Sequence, residues 1–107
     1  MAYKWPNHDP DEVADYSVDW SRFLGSDTIV NNGVVWKVNG ETLGDSQAYS
    51  GDTSNNLLLV QPTNTDTVAT VRFSAGQVGT RYKVNCQITT TAGKTFDRTI
   101  YLTVREK

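Results

Sequence analysis

Apolar and polar residues alternate with a period of two along most of this chain, most regularly towards its C-terminal end. Tyr82, Val84, Cys86 and Ile88 alternate with Lys83, Asn85, Gln87 and Thr89, which predicts a strand with one buried face and one wet face. Thr90, Thr91, Ala92, Gly93 and Lys94 break the run, and Ile100, Leu102 and Val104 then alternate with Thr99, Tyr101, Thr103 and Arg105. The two runs predict a β-hairpin. Upstream, Tyr16, Val18 and Trp20 share one side of a strand over residues 15–20, and Val34, Trp36 and Val38 share one face of a strand over residues 27–38. Leu57-Leu58-Leu59-Val60 is a short apolar strand that Gln61-Pro62 should stop, and residues 68–74 place Ala69, Val71 and Phe73 inward. About six or seven short strands joined by turns fit one all-β sandwich better than any helical or α/β plan. The patterning nominates Trp20, Trp36, Phe73, Tyr82, Val84, Cys86, Ile88, Ile100 and Leu102 for its core.

The interruptions carry the rest of the plan. Ser21-Arg22-Phe23-Leu24-Gly25 predicts one helical turn capped by the serine and ended by the glycine, with Trp20, Phe23 and Leu24 closing one end of the sandwich. Asn31-Asn32-Gly33 is read as a bulge within one strand rather than a tight turn, because the run before it is very short. Residues 39–56 are rich in Gly, Ser, Asp and Asn and read as loops, the best region for a loop-borne contact, with Tyr49 as its stacking residue. Residues 1–10 hold Trp5-Pro6 and Asp9-Pro10 without periodicity and are expected to form an extended arm ahead of a domain over residues 11–107. Trp5 either folds back on its own domain or is offered to a neighbouring subunit.

A chain of 107 residues fits a single core. The single cysteine, Cys86, excludes an internal disulfide and falls on an inward position, where a thiol behaves as a small hydrophobe. Residues 1–66 contain ten acidic and three basic residues, residues 67–107 two acidic and seven basic. Such complementary halves either balance within the fold or stack one subunit on the next. The arginines and lysines form no cluster and the pI is near 5.2, which disfavours nucleic acid. No apolar run follows Lys4, so no secretory signal is expected, and no stretch approaches a membrane span. The product is expected to stay in the cytoplasm of the cell that makes it unless it leaves in a larger particle.

Little in the sequence carries chemistry. His8 beside Asp9, Asp11 and Glu12 is one histidine in a polar arm, expected to be exposed and not to hold zinc, which takes several His or Cys ligands. Asp11, Glu12, Asp15 and Asp19 lack the spacing of a calcium loop and read as a solvated acidic edge. There is no nucleophile elbow, phosphate loop or zinc spacing, so no enzymatic activity and no cofactor are expected.

A tyrosine after Gly79-Thr80-Arg81, opening a strand whose next inward residues are Val84 and Cys86, resembles the F strand of an immunoglobulin-like sandwich with its G-strand hairpin partner. In antibody domains the corner tyrosine lies two residues before a disulfide cysteine; here it lies four before Cys86, which has no second cysteine to meet. The likeness is therefore to the disulfide-free modules of bacteria and their viruses. Pro10-Asp11, Tyr16, Asp19-Trp20-Ser21, Leu24-Gly25 and Asp27-Thr28-Ile29, together with the Tyr82 to Thr90 strand, Gly93 and the run from Arg98 to Val104, resemble a family of small immunoglobulin-like proteins of tailed phages and prophages. Its members are fibre-to-tail adaptors or other virion structural proteins. The resemblance implies a non-enzymatic virion component made in the bacterial host cytoplasm. It further implies contacts with tail, neck or fibre proteins and several copies in a symmetric assembly; the partner-binding candidates that the chain itself offers are Trp5 in the arm and Tyr49 in the loops. The alternative is a recognition module that binds a cell-surface glycan or protein through the loops around Tyr49.

Overall fold

The computed structural model describes residues 3–106. Its elements in chain order are β1 Tyr3–Lys4, β2 Val13–Asp19, α1 Ser21–Leu24, β3 Ile29–Val38, β4 Glu41–Leu43, β5 Gln47–Ala48, β6 Leu58–Asn64, β7 Val68–Ser74, β8 Arg81–Thr90 and β9 Thr95–Thr103. The alternating runs become the long strands. β8 and β9 pair antiparallel in unbroken register from Arg81↔Thr103 to Thr89↔Thr95. Gly93, at φ 83°, turns the hairpin, and its N–H donates to the Thr90 carbonyl at 2.9 Å. β9 begins before the apolar alternation does, because Phe96 still pairs with Ile88.

Two sheets stack face to face. Sheet I has the order β1-β9-β8-β3-β4 and sheet II the order β2-β7-β6-β5. Inward residues of both fill the space between them, and each of the nine residues nominated for the core is at most 1% exposed. Burial pushes the Cys86 thiol up to about 12, so it stays protonated and inert.

The strand breaks have local causes. In β3 the register jumps between Ile29↔Thr90 and Val34↔Ile88, and Asn32 takes φ 60°, so the Asn31 to Gly33 interruption is a bulge. Gly33 is needed there, since a Cβ would sit 2.9 Å from the Val30 carbonyl oxygen. β6, by contrast, does not stop at Gln61-Pro62. Gln61 adopts φ 48° and its N–H donates to Asp45 Oδ1 at 2.8 Å, so a second bulge carries the strand past the proline. β5 flanks only Leu58 and Leu59, which leaves Pro62 on a side with no ladder to break. The loop-rich segment 39–56 also holds two short strands, β4 and β5, whose pairing with β3 and β6 the composition did not announce.

Three local expectations are corrected. Ser21 does not cap α1; the Asp19 carboxylate, two residues earlier, accepts the Ser21 N–H at 2.9 Å. That bond is the main reason the Asp19 carboxyl lies below its usual 3.8. Phe23 is 54% exposed, lying edge-on to Trp20 and Phe96 rather than sealed beneath them. His8 is fully buried, not exposed: its Nε2 lies 3.0 Å from the Ala75 carbonyl and its Nδ1 3.0 Å from the Tyr16 hydroxyl. A carbonyl can only accept, so Nε2 donates to Ala75, while Nδ1 shares a hydrogen bond with the Tyr16 hydroxyl.

His8 belongs to an arm that is part of the fold. β1 runs parallel to β9, pairing Tyr3 with Ile100 and Lys4 with Tyr101. The ladder continues through Trp5 N–H to Tyr101 O, His8 N–H to Thr103 O and Arg105 N–H to His8 O. Trp5 takes the folded-back course of its two alternatives. At 8% exposure it lies 5.1 Å from Tyr16, 6.1 Å from Trp36 and 6.2 Å from Phe73 between ring centres, and its Nε1 donates to the Ser17 carbonyl at 3.0 Å.

At the other end of β8 the Tyr82 hydroxyl accepts the Gln77 N–H at 2.9 Å and donates to the Asp52 carboxylate, 2.9 Å away at its nearer oxygen. This ties the corner before β8 to the loop before β6. Replacing Tyr82 with Phe keeps the ring but leaves both partners unmet. The expected loss is about 1–3 kcal/mol, read as a lower urea midpoint at unchanged m-value.

Asp27 joins the two turns at the opposite end. Its Oδ1 accepts the N–H groups of Thr28 at 2.8 Å and Ala92 at 3.2 Å. The Thr90 hydroxyl, foremost, and these amides hold its carboxyl below the usual 3.8. A depressed carboxyl stabilises the fold above its unfolded value, and the gain is lost as pH falls through the folded value. Asp27→Asn is therefore expected to lower the melting temperature at pH 7, with the gap from wild type closing below about pH 4; melting curves across that range check it.

Candidate docking surfaces

The described residues contain no group of three or more His, Cys, Asp or Glu able to hold a metal ion, and no helix long and apolar enough to cross a membrane. What the fold presents is surface: two sheet faces and two ends. β8 connects the ends, and its ten residues span roughly 33 Å at strand rise.

The end beside α1 is aromatic. Trp20 is buried, Arg98 stacks over its ring at 4.6 Å, and Phe23 packs on Phe96 with ring centres 4.6 Å apart. α1 puts Phe23 there because Leu24, the next residue, takes the inward side of so short a turn. An open groove of about 490 Å³ beside it is lined by Leu24, Asp27, Thr28, Thr91 and Lys94, among others.

The opposite end is the corner that Tyr82 ties down. Ala75 and Gly79, both at positive φ, turn the chain so that Val78 projects with 54% of its surface exposed. Tyr49 lies at this end, partly buried, its ring edge-on to Tyr82 at 6.0 Å. Its loop is tied down by Asn56, whose side chain donates to the Tyr49 carbonyl at 2.8 Å, and by Asp52, which accepts the Leu57 N–H at 2.9 Å. Burial pushes the Tyr82 hydroxyl up to about 12, so it stays a neutral donor to Asp52.

The outward side of sheet I is polar and carries more cations than anions. Lys37, Asn85 and Thr99 lie in one row across it, and Lys83, Tyr101 and Lys4 in the next. Arg81 reaches over the Tyr101 ring at 4.6 Å. Lys37, Lys83, Asn85, Asp97 and Thr99 line an open groove of about 570 Å³. On the outward side of sheet II, Arg72 donates to Asp15 Oδ1 at 2.8 Å and to Gln61 Oε1 at 2.7 Å. The Arg72 hydrogen bond is the largest influence holding the Asp15 carboxyl below its usual value.

Of the two residues nominated for partner contact, Trp5 is therefore inside the core, where it holds the arm, and Tyr49 is partly covered at one end. The exposed Phe23 and Val78 and the cationic face were not singled out. The cations were visible as outward positions of strands already recognised, whereas Phe23 was assigned to the closed core and Val78 sits in an aperiodic corner.

A search of curated proteins finds no match to the chain. A family model described as podophage GP4 fiber-tail adaptor protein gp77 matches residues 8–103. That span runs from the buried His8 to the end of β9 and so takes in both sheets and both ends of the sandwich. The chain belongs to this family of phage fiber-tail adaptor proteins, virion structural components without enzymatic function.

Proposed function

We propose that this chain joins tail to fibre end to end, one pole of the sandwich docking on a tail protein and the other on a fibre protein. Family membership supplies the contacts with tail and fibre proteins. The observation that supports the polar arrangement is the position of exposed apolar side chains. Phe23 and Val78, each 54% exposed, sit at opposite ends of a body 41 Å long and about 20 Å across. Aromatic and aliphatic side chains standing out of a polar surface are the usual anchors of a protein interface. Tyr49, beside Val78's end, adds a partly exposed ring to that pole. Several copies would act together around the tail, each weak contact reinforced by its neighbours. The protein is made in the host cytoplasm and leaves it within the particle.

The arm serves this role as structure. It covers the outer edge of β9 and seats Trp5 between the sheets, so a partner meets a closed body. Truncating Trp5 to Ala is expected to cost about 3–5 kcal/mol of stability, which chemical denaturation measures, rather than to remove one docking contact from an intact fold.

Complementation tests the polar reading. Virions assembled without this protein should carry tails lacking fibres in electron micrographs, and wild-type protein should restore them. Phe23→Glu and Val78→Glu, both at exposed positions, should fold with near-normal melting curves and fail to restore fibres. Full restoration by both variants would overturn the reading.

A further inference from the structure

With the poles assigned to tail and fibre, the two flanks of the sandwich remain, and they differ in charge. We infer that copies of this chain associate flank to flank, the outward face of sheet I of one copy resting on the outward face of sheet II of the next. This rests on the polar docking proposed above, which leaves both flanks free.

The strand register decides which charges share a face. Lys83 and Lys4 flank Tyr101 in one row, Lys37 lies in the adjacent row, and Arg81 covers Tyr101 from beyond. Asp97, opposite Gln87, is the one acidic residue among the outward positions of β3, β8 and β9. Among the described residues, no ion pair holds Lys37, Lys83 or Lys4. On the opposite flank β2 turns Asp15 and Asp19 outward, with Asp11 exposed just before the strand; Arg72 bonds Asp15, and Arg22 and Arg98 act on Asp19 from the α1 end. The two flanks thus differ in charge through strand register rather than through sequence halves, since Lys4 and Lys37 of the cationic flank come from the acidic half and Arg72 of the other flank from the basic half.

Each flank also exposes an apolar residue. Val35 stands 40% exposed on the outward face of sheet I and Val13 65% exposed on that of sheet II, with Leu58 partly exposed in Val13's row across β7. Together with Phe23 and Val78 at the poles, these are the exposed large hydrophobic residues among the described ones. A body of 41 × 22 × 20 Å offers on each flank an area on the order of the 800 Å² per partner that a stable interface buries. Because the two contacting faces are different, the contact is heterologous, and successive copies follow one another around an axis rather than pairing off. Such an arrangement leaves Phe23 on one rim and Val78 on the other.

Sedimentation of the purified full chain, without virions, tests this. Wild type should form oligomers as its concentration is raised towards millimolar, and should dissociate as salt is added. Lys37→Glu with Lys83→Glu should raise the dissociation constant by about tenfold or more, since like charges then meet across the contact. Asp11→Lys with Asp15→Lys should do the same, and mixing the two double variants in equal amounts should restore association. A wild type that stays monomeric throughout, or a Lys37/Lys83 variant that associates as well as wild type, would overturn the inference. Either result would leave the polar docking of tail and fibre untouched, because that is read on virions by the recovery of fibres.

Discussion

Four aromatic rings drawn from four separated stretches of chain hold this molecule together. Trp5 comes from the arm, Tyr16 and Phe73 from sheet II and Trp36 from sheet I, and they meet where the two sheets face each other. A sandwich with one cysteine has no covalent link between its layers, so packing must supply it. Trp5 does so on three counts. It fills the core, its indole N–H meets the Ser17 carbonyl on β2, and its backbone continues the ladder along β9. The arm thereby closes the side of the sandwich where β2 and β9 are the outermost long strands.

Rigidity at both ends follows from polar ties rather than from more core. Tyr82, Asp52 and Gln77 lock one corner; Asp27, Thr28 and the hairpin turn at Thr91 and Ala92 lock the other, with the Thr28 and Thr91 hydroxyls 2.7 Å apart. Both ends are made of turns, which would otherwise move most. An adaptor that joins two larger bodies needs its poles held in a fixed relation, and ten-residue strands β3 and β8 running between tied ends provide that.

Period-two alternation made the long strands legible. Residues 68–74 became β7 with the same limits, and Tyr82, Val84, Cys86 and Ile88 lie inside as their spacing required. Where side-chain alternation was not what decided the backbone, the reading failed. β4 and β5 are three and two residues long, too short for a period to declare itself. Gln61-Pro62 carried a stop signal that a left-handed residue overrode, and the same device at Asn32 was legible because the run before it is too short for a strand of its own. His8 read as exposed because its neighbours are polar, yet a fixed carbonyl at Ala75 and a buried hydroxyl at Tyr16 give its ring two partners that lie far away or on another strand. The docking surfaces were least legible of all. Phe23 is apolar beside an inward Leu24, and nothing local says which of the two faces water.

The family places this chain between fibre and tail, and the geometry suggests that it works lengthwise. A cryo-electron-microscopy reconstruction of the fibre–tail junction is the most direct test. The account predicts this sandwich in density between the two, with the Phe23 end against one partner and the Val78 corner against the other. A junction in which tail and fibre both bind the same end, or in which the sandwich is found elsewhere on the particle, would contradict it.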